Sequence, residues 1–247
     1  MIDLKSISKN SPKPPRIALY GPPGIGKTTF AASSPAPIFV LTEDGLGDLE
    51  VPHFPVCTTY DEVLECLATL GKEDHEYQTV VIDSLDALEL LVWEATCKRL
   101  GVSSIEVPGY GKGYVEAQSE WRQLFSYITA LRDEKNLTVI MIAHSAFVRV
   151  EDPEHPAYDT NALKLNKRAA AMATEYCDIV AFASHKMFTK VDEVNAKEKR
   201  VRAISTPDRV LRLSGSPAAT AKNRYHMPET IPLSWEEFAK HLPKGGK

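Results

Sequence analysis

The sequence predicts an α/β fold: a mainly parallel sheet flanked by helices and extended by C-terminal antiparallel strands. Three observations predict it. Four short apolar runs are separated by helical patterns. A glycine-rich loop joins the first run to the first helical pattern. The last third of the chain changes to strand-like runs divided by polar turns. Alternating strands and helices of these lengths build right-handed βαβ units on a parallel sheet.

The elements follow in chain order. Residues 1–15 are polar and end in Ser11-Pro12-Lys13-Pro14-Pro15, which predicts an extended lead-in, since proline disfavours helix at and before itself. Ile17–Tyr20, Ile38–Thr42, Thr79–Asp83 and Thr138–Ala143 are rich in Val, Ile, Leu or Met and read as buried parallel strands. Lys27–Ser33 follows the first as a helix. Tyr60–Leu70 places Val63, Leu64, Leu67 and Leu70 on one stripe, and Ala87–Leu100 and Val115–Arg132 are longer helical patterns. The polar stretch between His144 and Ala169 has little periodicity and predicts a long loop, functional or mobile. Ile179–Lys190, Arg200–Ser205 and Val210–Leu213 read as antiparallel strands. Ser234–Leu242 reads as a closing helix, with Ser234 and Glu237 at capping-box spacing. One domain is expected over 16–242, with a disordered tail over 243–247.

Composition bounds the function. The 247 residues are 43% hydrophobic and 25% charged, which excludes a mostly disordered chain, collagen and a disulfide-built miniprotein. No apolar run reaches membrane-spanning length and the N-terminus lacks a signal-peptide core, so a cytoplasmic protein without a membrane partner is expected. Cys57, Cys66, Cys97 and Cys177 lie far apart and are expected to be buried reduced thiols. The net charge of -4 is uneven. Residues 1–143 hold 12 Lys/Arg and 20 Asp/Glu, whereas 144–226 hold 14 and 10, so a polyanion would meet the second half first.

The chemistry starts at Gly21-Pro22-Pro23-Gly24-Ile25-Gly26-Lys27-Thr28, which fits G-x-x-x-x-G-K-[ST]. Its glycines let successive backbone N–H groups turn toward phosphate oxygens, and the helix beginning near Lys27 adds partial positive charge. Lys27 would reach the β- and γ-phosphates, and Thr28 would ligate Mg²⁺. With Thr29 these residues form the expected ATP·Mg²⁺ contact set. Thr79-Val80-Val81-Ile82-Asp83 ends a second strand in an acid, where Asp83 would hold Mg²⁺ through water. Ser84, not Glu, follows it, so the water-orienting carboxylate must come from elsewhere. Glu43, at the end of Ile38–Thr42, is the candidate.

These segments resemble a family. Phe39–Leu46 and Val80–Leu88 look like the cores of RecA-type recombinases, in which the catalytic Glu ends the strand after the phosphate loop and the metal Asp is followed by Ser. A closer resemblance is to short phage-encoded RecA-like P-loop ATPases of the single-strand-annealing or minimal-recombinase group. It rests on the phosphate loop, Tyr110-Gly111-Lys112-Gly113-Tyr114, Lys222-Asn223-Arg224 and Trp235-Glu236-Glu237-Phe238, and spans about residues 15–242. It implies a RecA-like fold, ATP hydrolysis stimulated by single-stranded DNA, and a phage protein working in the bacterial host cytoplasm. His144 stands where RecA itself carries a Gln that touches the γ-phosphate. Two DNA loops are implied. Tyr110, Lys112 and Tyr114 lie in the first, and Arg149, Lys164, Lys167 and Arg168 in the second, offering stacking faces and phosphate contacts. Lys222 and Arg224 would reach a neighbour's γ-phosphate, so a filament or ring would complete the site.

The leading expectation is therefore an ATP-dependent single-stranded-DNA-binding protein that promotes annealing or strand pairing, with a single-strand-binding protein as a further partner. A nucleotide-gated loader acting on a helicase or single-strand-binding protein is the second, favoured by Glu151, Asp152, Glu154 and Asp159 in the second loop. A small-molecule kinase ranks last, since no compact Arg-rich lid is visible.

Overall fold

The computed structural model describes the backbone of residues 12–195 and 198–243, and the side chains of these outside 189–205. Most of the expected lead-in and nearly all of the expected tail lie outside these residues.

The chain runs β1 (Arg16–Gly21), α1 (Lys27–Ala32), β2 (Pro37–Leu41), α2 (Tyr60–Lys72), β3 (Thr79–Asp83) and α3 (Leu85–Leu100). Next come α4 (Lys112–Glu116), α5 (Gln118–Glu134), β4 (Thr138–Val150), β5 (Tyr158–Leu163) and α6 (Lys167–Tyr176). It closes with β6 (Ile179–Asn195), β7 (Glu198–Arg212), β8 (Lys222–Asn223), β9 (Thr230–Pro232) and α7 (Trp235–Ala239). The sheet order is β2-β3-β4-β1-β6-β7-β9, with β5 beside β4 and β8 beside β6. β2, β3, β4, β1 and β6 are mutually parallel, while β7, β8 and β9 join antiparallel. The α/β fold with its antiparallel C-terminal extension is as the sequence reads.

The central strands are apolar throughout because both faces of the sheet are covered. On one face Ala18, Tyr20, Val40, Ile82 and Met141 pack under α2, α3, α5 and α6 through Leu67, Leu88, Trp121, Ile128 and Ala173. On the other, Ile17, Leu19, Phe39, Val81 and Ile142 pack with Phe30 of α1 and Trp235 and Phe238 of α7. The period-two alternation along β1 divides its residues between the two cores. Cys57 and Cys177 are buried, whereas Cys66 and Cys97 are only half-buried.

Three local expectations are corrected. The stretch after His144 is not a loop: β4 runs on to Val150 and pairs with β5 as an antiparallel hairpin, followed by α6. Pro153 and Pro156 fall in the hairpin's connection, where the missing N–H costs no ladder bond. The runs Arg200–Ser205 and Val210–Leu213 fall on one strand, Glu198–Arg212, rather than two. Pro207 and Asp208 are absorbed in an irregularity of the β6–β7 pairing, between the His185–Arg209 and Met187–Ser205 pairs. The capping box at Ser234 does not form, and Glu237 instead accepts from Lys240 at 2.6 Å. The box is found on α2, where Thr59 and Glu62 satisfy each other's backbone N–H groups.

Candidate functional site

The parallel topology brings the carboxyl ends of β1, β2, β3 and β4 to one edge of the sheet. Each strand delivers one functional group there, and the crevice at such an edge is where α/β sheets hold ligands. β1 runs into the phosphate loop. Gly24 and Gly26 take φ values of 72° and 105°, which side chains with a Cβ rarely adopt. Ile25 between them is buried in the core and anchors the loop from beneath. Pro22 and Pro23 shape it. Lys27 Nζ lies back across the loop, donating to the carbonyls of Gly21 and Pro22 at 3.1 Å each. Burial pulls the Lys27 ammonium below its ordinary pKa, and the charges of Asp83, Asp86 and Glu43 oppose that pull.

Thr28 and Asp83 meet directly. Thr28 Oγ1 donates to Asp83 Oδ2 at 2.8 Å. Burial raises the Asp83 pKa and Glu43 adds to the rise, while Thr28, Lys27 and His144 counter it. A hydroxyl beside a carboxylate, both hard oxygen donors, fits Mg²⁺. Thr42 fixes the spacing of the neighbouring strand ends: its Oγ1 donates to Ser84 O at 2.7 Å and accepts from Ser84 N at 2.9 Å. The Asp83–Ser84 peptide is cis. Directly after this tie, Glu43 enters the same cleft of about 460 Å³, together with Lys27, Thr28, Thr29, Asp83 and His144.

His144 ends the β1-paired part of β4. Its backbone N–H and its ring Nδ1 both meet the Asp86 carboxylate at 2.9 Å. Asp86 also faces Lys164 Nζ at 3.6 Å. Burial pushes the Asp86 pKa up, but the bonds from His144 outweigh this and hold it below the ordinary value. The residue that steadies His144 was absent from the sequence reading. So was Arg209 of β7, which lines the phosphate cleft from the far side. Neither belongs to a motif, and only the fold brings them there.

The remaining candidates lie apart from this cleft. Tyr110 and Lys112 project into solvent, whereas Tyr114 is half-buried against the chain. Its hydroxyl donates to Glu106 and its ring meets Trp93 edge-on. Arg149 is exposed on the β4–β5 hairpin, 4.0 Å from Asp159. Lys164, Lys167 and Arg168 are exposed at the start of α6. Lys222 and Arg224 lie at the opposite end of β1 from the phosphate loop. Lys222 Nζ donates to the carbonyls of Thr174 and Glu175, at the end of α6. Arg224 Nη1 donates to Asp178 at 3.1 Å. Neither side chain reaches the phosphate cleft of its own chain.

A family model described as "AAA domain" matches residues 13–225. Among solved structures, the crystal structure of the RadB recombinase is similar, at 14% identity and a TM-score of 0.50, over 88% of this chain and 86% of that one. At that identity the likeness is one of fold, and it supports the RecA-like reading of the core. No curated protein sequence matches the chain.

Proposed function

The chain belongs to the AAA domain family, and from that premise we propose that it is an ATPase that binds single-stranded DNA in an ATP-dependent way during phage DNA recombination or replication. The observation that carries this is the convergence of Lys27 and Thr28 after β1, Glu43 after β2, Asp83 of β3 and His144 of β4 on one cleft.

The residues divide the work by their chemistry. Lys27 exchanges its two carbonyl partners for phosphate oxygens, gaining charge-assisted bonds. Thr28 and Asp83 would hold Mg²⁺, which supplies charge neutralisation on the phosphates when bound. Glu43 orients the attacking water. His144, with Nδ1 tied to Asp86, keeps Nε2 for the terminal phosphate. The tie makes the ring's position an indicator of phosphate occupancy, relayed through Asp86 to Lys164 on the DNA side.

Exposed Tyr110, Lys112, Arg149, Lys164, Lys167 and Arg168 supply an aromatic face and five cations for a single strand. The distance of Lys222 and Arg224 from their own cleft motivates a head-to-tail contact between copies, in which both side chains would exchange their intramolecular bonds for a neighbour's phosphate. That contact is heterologous and generates a filament or a ring.

The test is ATP hydrolysis with and without single-stranded DNA, at low and moderate salt. Stimulation that fades as salt rises is expected, since phosphate contacts release counterions. Glu43→Gln should keep ATP binding and lose about 100-fold or more in turnover. ATP binding with no response to DNA would favour instead a nucleotide-gated loader acting on a protein partner.

A further inference from the structure

Arg209 occupies a position for which the proposed ATPase reading supplies no role. It lies on β7 opposite His185 of β6. Its carbonyl accepts from Leu233 N at 2.9 Å, which ties it to the segment entering α7. Its guanidinium leans over the phosphate loop: Nη1 is 2.9 Å from where a Cβ on Gly26 would sit. The φ of 105° at Gly26 favours glycine there, and the bare Cα leaves the space above the loop to the guanidinium.

Two hollows meet at Arg209. One is the phosphate cleft with Lys27, Thr28 and Asp83. The other is a hollow of about 800 Å³ lined by Thr29, Phe30, Ser33 and Trp235 and by the charged Glu236 and Lys240, which shares Gly26 and Arg209 with the first. The first is built for phosphate. The second combines an aromatic and aliphatic wall with hydroxyls, a carboxylate and an ammonium, and is within the size range of small-molecule sites. Among the described residues Arg209 has no carboxylate within ion-pair distance.

Resting on the ATPase reading, we propose that Arg209 is a nucleotide-binding residue supplied by the same chain, gripping the phosphate chain at its nucleoside end, and that the adjoining cavity receives the nucleoside. A planar guanidinium suits this place: it bonds two phosphate oxygens at once and offers a flat face to a base. The ligand class is a nucleoside 5′-di- or triphosphate. The grip is on the phosphates that ATP and ADP share, so it serves binding of both.

The test is calorimetric binding of ATP, ADP and inorganic tripolyphosphate to the full chain. Arg209→Ala should weaken all three about tenfold, ATP and ADP by the same factor, and Arg209→Lys should recover part of the loss. Ser33→Trp, which fills the cavity from an exposed position, should weaken ATP and ADP while sparing tripolyphosphate. Unchanged affinity in Arg209→Ala, or a loss confined to ATP, overturns the assignment. Equal effects of Ser33→Trp on all three ligands overturn the nucleoside cavity. Lys27→Ala separates the two levels. If it binds ATP as the unaltered chain does, the phosphate-loop reading itself fails, whatever Arg209 does.

Discussion

Glu89 carries a carboxyl group that the fold keeps from water. Its side chain is 5% exposed, and both oxygens accept from Asn166 N at 3.0 Å, just before α6. Burial, with Asp86 nearby, raises its pKa from 4.5 to about 7, against the pull of the Asn166 bond. A carboxyl raised on folding contributes stability fully below its unfolded value, and that contribution is lost as pH rises to about 7. Glu89→Gln keeps an acceptor and removes the charge. It should raise stability at pH 8 by about 1–3 kcal/mol and leave it nearly unchanged at pH 4, measured by urea unfolding at both. Asp178 is the opposite case. Burial pushes its pKa up, but Arg16 overcomes this through bonds of 3.1 and 3.0 Å from its side chain, joined by Arg224. Its contribution is therefore present at neutral pH and lost as pH falls below the ordinary carboxylate range. Asp178→Ala leaves Arg16 buried without its partner and should cost about 3–5 kcal/mol. Arg224→Ala, from an exposed side, should cost under about 1 kcal/mol.

At the scale of elements, the segment from Gly101 to Tyr114 is held more firmly than its glycines suggest. Gly113 lies against the carbonyl of Ile105, and a Cβ there would overlap it outright. Gly111, with φ of 69°, has open space instead. Gly113→Ala should therefore destabilise by about 1–3 kcal/mol through overpacking and weaken single-stranded-DNA affinity as Tyr110 and Lys112 shift. A thermal melt and a salt-matched binding curve measure both. Local pattern explains what was legible here. The apolar runs of β1 to β4 and the phosphate loop declare themselves within a few residues, and Asp83 and Glu43 were found by their place at strand ends. The β4–β5 hairpin was hidden because its strand residues are mixed polar and its prolines resembled loop punctuation. The partners Asp86, Asp178 and Arg209 were illegible because they act across sequence separations that no local period records. Tyr114 read as a stacking surface, since nothing near it in sequence announces Glu106 and Trp93 as its partners.

At the scale of the molecule, the phosphate cleft and the Lys222–Arg224 pair occupy opposite ends of β1. If these ends meet between copies, each active site draws Lys27 from one chain and Arg224 from the next. Lys27→Ala and Arg224→Ala should then each abolish turnover alone. A one-to-one mixture should restore about a quarter of the sites, those with an intact partner on each side of a heterologous contact. Turnover of the mixture at various ratios measures this, and none should return if each chain works alone. The sheet order has a further consequence, in the time the chain takes to be made. Among the described strands β1 comes first in the chain, yet its two neighbours are β4 and β6, which pair with it through residues 139–144 and 179–182. The strand bearing the phosphate loop thus leaves the ribosome with both edges bare and waits for well over half the chain to follow. A nascent chain acquires its nucleotide cleft late, and until then a strand whose Ile17, Ala18, Leu19 and Tyr20 all belong in the core is exposed to mispairing.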